Sequence, residues 1–335
     1  MGRAAARRSV LEEAWRIVED LGGRALSRAW EIVEGWGVGA PSVRRALEAF
    51  RAGWRDLARP AIVALSCKAV GGDVERALEA AAPLILLSGG FDLHDDIIDR
   101  SLVRGPRRRR TLLGRFGPEV TMLLGDALLV GGSWALASTL HRMGLGEAAG
   151  EVVRLIFELG EAEAMELKFV GRLDVAVPRY LRLVEGKAAD VEAYARLGAA
   201  VGGGSARQRE ALGRFGRRLG MIAIIRDDLE DTLEYRVELR NRVLHESLPL
   251  PVLRALKSRR SSERLRSILS KRELSEGELR EVVRLVEAGG GIRYTLGVLR
   301  GLASEAEEAL SEVGGDVEGL RVLLRAAVPP LIEEP

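Results

Sequence analysis

The 335-residue chain is 47% hydrophobic and 30% charged but only 4% aromatic, and 51 basic residues nearly cancel 49 acidic ones to leave a net charge of +2. That balance gives no global field for nucleic acid, and the single cysteine, Cys67, excludes an intramolecular disulfide and a thiolate metal cluster, as suits a reducing interior. The N-terminal stretch lacks a signal-peptide core, and no uncharged run reaches the roughly 18 residues of a membrane span, so a cytoplasmic protein without a transmembrane segment is expected.

Taken along the chain, apolar residues recur at intervals of three and four from Val43 to Val70, from Arg76 to Asp99 and from Ala176 to Val201, the pattern of helices with a buried face. No comparable run alternates with period two. Breaks fall at Gly71-Gly72, Gly105-Pro106, Gly144 to Gly146, Gly202 to Gly204 and Gly289 to Gly291, which is helix-hairpin spacing. None is long or polar enough to be a linker, and no repeat of fixed period is present. The expectation is all-α: one domain over residues 1–335, built as a single large antiparallel helical bundle.

Inside the second of these helices, "GGFDLHDDIIDRS" concentrates Asp95, Asp96 and Asp99 among apolar neighbours. The stretch "IIRDDLED" repeats the spacing with Asp227, Asp228 and Asp231, about 130 residues later. On a helix, i and i+4 share a face and i+1 lies about 100° around it. Three carboxylates per cluster are therefore expected to converge on a point beside the helix, suited to a hard divalent cation. Mg²⁺ takes one or two carboxylates, waters and substrate phosphate oxygens, so two facing clusters would hold several ions around one diphosphate. A lone cluster of this kind is ordinarily a solvated acidic face. Duplication, and flanks such as Leu93, Ile97, Met221 and Ile225, favour the metal reading, because bare carboxylates beside buried surface are costly.

From about residue 40 to 320 the sequence resembles the trans-isoprenyl diphosphate synthases, or polyprenyl synthetases. The resemblance rests on Asp95-Asp96-Ile97-Ile98-Asp99, on Asp227-Asp228-Leu229-Glu230-Asp231, on "GDALL" from Gly125 and on Lys187 in "EGKAAD". It also rests on "TLLGRFG" from Thr111 and on Arg59-Pro60. It implies a bundle with a central apolar cavity between the clusters, usually in a homodimer, and a Mg²⁺-dependent condensation of isopentenyl diphosphate with an allylic diphosphate. The cation and basic groups would take up charge on the departing pyrophosphate. Carried over by position, Asp95, Asp96, Asp99, Asp227, Asp228 and Asp231 would hold metal. Lys187 would join them in catalysis, Arg59, Arg104, Lys187 and Arg240 would bind diphosphates, and Phe91 would meet the growing chain.

The departures from that family cluster at the diphosphate contacts. "WRDLARP" has Asp56 where a lysine is expected to bind isopentenyl diphosphate, Ser88 replaces a histidine, Val103 replaces the first of two arginines, and Ala188 replaces the threonine after Lys187. Ala223-Ile224 replaces Phe-Gln, and lysines after the second cluster are missing. Either the arginines at 107 to 110 and 240 to 242 substitute for lost contacts, or the chain is an altered paralogue acting as partner subunit of another synthase. A class I terpene cyclase fits less well, because the second cluster keeps the synthase spacing. His94 reads as a supporting or core residue, Cys67 as core, and Glu163 and Glu166 equally as cavity-facing or surface. Phe91, with Gly90 and Gly89 leaving space beside it, points to a product of geranylgeranyl to farnesylgeranyl size.

Overall fold

A computed structural model describes residues 2–105, 107–271 and 273–329. Fifteen helices form most of the structure: α1 (Gly2–Glu34), α2 (Pro41–Gly53), α3 (Ala58–Ala69), α4 (Val74–Ile98), α5 (Leu112–Arg142), α6 (Gly146–Glu166), α7 (Val177–Lys187), α8 (Ala189–Val201), α9 (Ala206–Leu233), α10 (Glu238–His245), α11 (Leu250–Ala255), α12 (Ser262–Leu269), α13 (Glu276–Ala288), α14 (Gly291–Ser311) and α15 (Glu318–Ala327). The remaining element is a small antiparallel ribbon, β1 (Val103–Arg104) paired with β2 (Arg109–Arg110). The all-α expectation holds, and the glycine breaks read from the sequence fall in the turns α3–α4, β1–β2, α5–α6, α8–α9 and α13–α14.

Local chemistry sets the helix ends. Asp73 caps α4 by accepting the Glu75 amide, and Ser205 opens α9 in a reciprocal capping box with Gln208. Pro41 and Pro178 sit in the first turns of α2 and α7, where no amide donor is needed. Through its middle, α4 is buried on every side, from Ala80 to Gly90, and so is most of α8. These helices form the centre. α4 lies along α5, α8 along α9, and α3 fills the space between α4 and α8. Cys67 is fully buried in this core, as expected.

α5 departs from the expected separation of apolar inside from polar outside. It is long and apolar enough to span a membrane by length and composition, yet only 33% of its most apolar window is buried. Although packed along α4, it turns Val130 (72% exposed) and Trp134 (73%) outward, and the neighbouring α6 likewise exposes Phe157 (72%).

α3 and α8 approach each other closely at Gly198. A Cβ placed on Gly198 would lie 2.2 Å from the Val63 carbonyl oxygen on α3, a contact with backbone that no rotamer relieves. Gly198→Ala is therefore expected to destabilise the fold by about 1–3 kcal/mol, the usual cost of overpacking a core. Thermal unfolding checks this, and an unchanged Tm would mean that the two helices are not in contact at this point.

Candidate active site

The last two turns of α4 carry the first cluster, and helical phase splits it. Gly90 and His94 face α5, where His94 Nε2 lies 3.1 Å from Asp126 Oδ1, so His94 is turned away from the aspartates. Ser88, Asp92 and Asp96 face α2, α3 and α8. Asp96 takes Arg104 Nη2 at 2.7 Å, Asp92 takes Trp54 Nε1 at 2.7 Å, and Ser88 bonds to the Tyr194 hydroxyl. Asp95 and Asp99 occupy the third face, within electrostatic reach of Lys187, Glu166 and Glu246. The expected convergence of three carboxylates is thus corrected: Asp95 and Asp99 stay together and Asp96 turns to a different partner, as the 100° step between adjacent residues requires.

The second cluster divides as well. Asp227 is exposed and lies 3.2 Å from Arg226 Nη2. Asp228 has no exposure. Its two oxygens receive the Tyr180 hydroxyl at 2.9 and 2.8 Å, the Leu250 amide at 3.0 Å and the Arg242 guanidinium. Burial pushes this carboxyl up, and Arg242 with the other donors pulls it back. Because every partner donates a proton, the ionised form is the one that fits. Asp231 keeps a looser contact, 3.4 Å from Arg242 Nε, and burial raises its carboxyl to about 7.

A chain of side chains joins the clusters. Lys187, the last residue of α7, is held by Glu166 and by Glu163 Oε2 at 3.2 Å, both on the last turns of α6. Glu166 also accepts Ser247 Oγ, while Glu246 receives Arg242 Nη1 at 3.0 Å and Asn241 Nδ2. Asn241 reaches back to the Asp99 carbonyl at 3.5 Å. Burial works against the Glu166 charge, but Lys187 and Arg242 hold it down at about 2. At Asp99 the pull of Lys187 is outweighed: burial, then Asp95 and Glu246, push it up to about 8. Glu163 and Glu166 therefore belong to the site, settling a question that the sequence leaves open.

The basic residues expected to bind diphosphate are placed unevenly. Lys187 and Arg104 reach the aspartate helices, whereas Arg59 is enclosed by Asp56 and Asp190. Arg242, rather than Arg240, reaches the second cluster, and Arg240 has no ion pair among the described residues. Arg107 to Arg110 are exposed around the β1–β2 ribbon, and Pro106 lies outside the described residues. The space expected beside Phe91 is filled. A Cβ on Gly89 would lie 2.7 Å from the Phe50 ring, and one on Gly90 2.7 Å from Leu129, so both glycines let neighbours pack. Tyr180, Asp190 and Asp92 were missed, although two of them left a signal. Tyr180 stands two helical turns before Lys187, and Asp92 one turn before Asp96.

Among the described residues no three carboxylates form a ready-made metal cage. The donor set nevertheless fits a hard cation that completes its shell with water and phosphate. Asp95, Asp99 and Asp231 are crowded by other carboxylates and lack a short ion pair, and the buried Arg242 Nε has no hydrogen-bond acceptor. Asp228 does not fit, because both of its oxygens are committed. Removing its cation should expose the difference: Arg242→Met is expected to cost about 3–5 kcal/mol by stranding a buried charge. Adding Asp228→Asn should recover most of that loss. Urea unfolding of the single and double variants checks this, and additive losses would show that the two groups are not coupled.

The site's surroundings match known proteins over most of the chain. Residues 51–286 match the polyprenyl synthetase family model. The short chain isoprenyl diphosphate synthase of Methanothermobacter thermautotrophicus is 30% identical over 259 residues, covering 75% of this chain and 78% of its own. The (2E,6E)-farnesyl diphosphate synthase of Mycobacterium tuberculosis is 29% identical over 274 residues, covering 76% and 73%. Among solved structures, a geranylgeranyl pyrophosphate synthetase from the archaeon Geoglobus acetivorans superposes with a TM-score of 0.78 at 24% identity, covering 95% of this chain and all of that one, which fixes the fold. With aspartate clusters on α4 and α9 bridged through Lys187, and a family match across 51–286, the chain belongs to the polyprenyl synthetase family of prenyltransferases.

Proposed function

We propose that the chain condenses an allylic diphosphate with isopentenyl diphosphate, in the presence of Mg²⁺, to give a linear isoprenyl diphosphate. The observation that carries this reading is the bridge of Lys187, Glu166, Ser247, Glu246 and Arg242 between Asp95/Asp99 and Asp231. It places two cations beside two groups of under-neutralised carboxylates. Asp95, Asp99 and Asp231 would hold the divalent cations, with exposed Asp227 beside them. The bound ions would neutralise charge on the diphosphate as its bond to the allylic carbon breaks.

The chain's own groups do the rest. Lys187, kept charged by Glu163 and Glu166, meets the leaving diphosphate from α7, and Arg242 Nε offers it a donor from α10. Electrons of the C1–O bond leave with the diphosphate, the double bond of isopentenyl diphosphate attacks C1, and the adduct loses a proton. Phe91 stands one turn before Asp95, on the side where the hydrocarbon lies. The filling of the space at Gly89 and Gly90 by Phe50 and Leu129 supports the short, geranylgeranyl end of the expected range of product length. The outward apolar stripe of Val130, Trp134 and Phe157 supports a homodimer formed through α5 and α6.

Labelled isopentenyl diphosphate, Mg²⁺ and each allylic primer are expected to give longer diphosphates, and EDTA to stop the reaction. Asp95→Asn should lower turnover by at least about a hundredfold and abolish the rise in Tm that Mg²⁺ with pyrophosphate gives the wild type. No elongation with any primer would refute the function. A Tm rise retained in the variant would refute the metal assignment. Phe91→Ala should lengthen the product, and an unchanged length distribution by chromatography would reject Phe91 as the floor.

A further inference from the structure

Arg59 is carried by α3 to the Asp92–Asp96 face of α4, and its guanidinium is already engaged there. Nη1 lies 2.6 Å from Asp56 Oδ2, and Nε lies 2.7 Å from Asp190 Oδ2. Each carboxylate is also fixed by backbone. Asp56 Oδ1 accepts the Arg59 amide at 3.2 Å where α3 begins, and Asp190 Oδ1 accepts the Val191 amide at 2.7 Å in the first turn of α8. Both therefore sit at the end of a helix that favours negative charge, and their side chains are only 13% and 16% exposed.

The neighbourhood offers an incoming anion no compensation. Asp92 acts on Arg59 as a third carboxylate, and Arg104 is committed to Asp96. On this face four carboxylates, Asp56, Asp92, Asp96 and Asp190, confront two guanidiniums, Arg59 and Arg104. The adjacent face of α4 is different, since Asp95 and Asp99 there lack short ion pairs and have room for added positive charge.

Resting on the reading that Arg59 belongs to the isopentenyl diphosphate position, we infer that Asp56 and Asp190 set the chain's specificity at that position by occupying the guanidinium in the anion's place. A diphosphate must displace two carboxylates already in hydrogen-bond geometry. Both then remain nearby as like charges, each weakening the anion by about tenfold or more. The allylic diphosphate, bound on the Asp95–Lys187 side, does not meet this pair. The two diphosphates should thus bind with very unequal affinity, and the acids at 56 and 190 are the cause.

Calorimetric titration of the full chain reads the two positions separately, with isopentenyl diphosphate alone in one cell and dimethylallyl S-thiolodiphosphate plus Mg²⁺ in another. Asp56→Asn and Asp190→Asn keep side-chain shape and lie at the starts of different helices, so a folding defect in one, seen by circular dichroism, leaves the other as the test. Each variant is expected to bind isopentenyl diphosphate at least about tenfold more tightly than the wild type. Affinity for the thiolo analogue should stay within about twofold. Isopentenyl diphosphate binding that is unchanged or weaker in both variants, or undetectable in every protein, overturns the inference. Tighter binding in the variants without elongation of any primer would instead sustain it and remove the proposed condensation.

Discussion

A fully buried carboxylate, Asp228, organises this end of the bundle. Removing such a charge from water costs several kcal/mol unless donors surround it. Here the donors come from three elements packed against Asp228's own helix α9: Tyr180 on α7, Arg242 on α10 and the Leu250 amide at α11. Because one anion fixes all four elements, it also sets where Lys187 leaves α7 and where Glu246 leaves α10. The second aspartate cluster is therefore part scaffold and part site. Asp228 is committed to structure, while Asp231, one turn further on, borders the space shared with Asp99.

Charge on α4 follows the same logic by helical phase. One face gathers Asp95 and Asp99 against Glu163, Glu166 and Glu246, with Lys187 as the cation between them. The adjacent face matches Asp92 and Asp96 with Trp54 and Arg104, and Arg59 with Asp56 and Asp190. The first face is short of positive charge and the second is closed by internal pairs. A helix carrying an Asp-Asp step can serve two sides at once only because neighbouring residues point 100° apart.

Much of this was legible in the sequence. Period-four apolar runs and glycine pairs located the helices and turns, because burial and breaks act locally. Two clusters of identical spacing pointed to the candidate site. What was not legible depends on contacts between distant segments. Asp190 lies 131 residues from Arg59, so nothing local announces that it will capture the guanidinium. Arg240 and Arg242 differ by two residues, about 200° of helix, and only the phase of α10 decides which one reaches Asp228. Gly89 and Gly90 look like open space when read alone, since the Phe50 ring and Leu129 that fill it belong to α2 and α5.

The division of labour among the six aspartates is most directly tested by a crystal structure with Mn²⁺ and pyrophosphate, using the anomalous signal to locate the ions. The account predicts ions within coordination distance of Asp95, Asp99 and Asp231, with Asp228 still bound by Tyr180, Arg242 and the Leu250 amide. An ion coordinated by Asp228, with Arg242 released from it, would contradict the account.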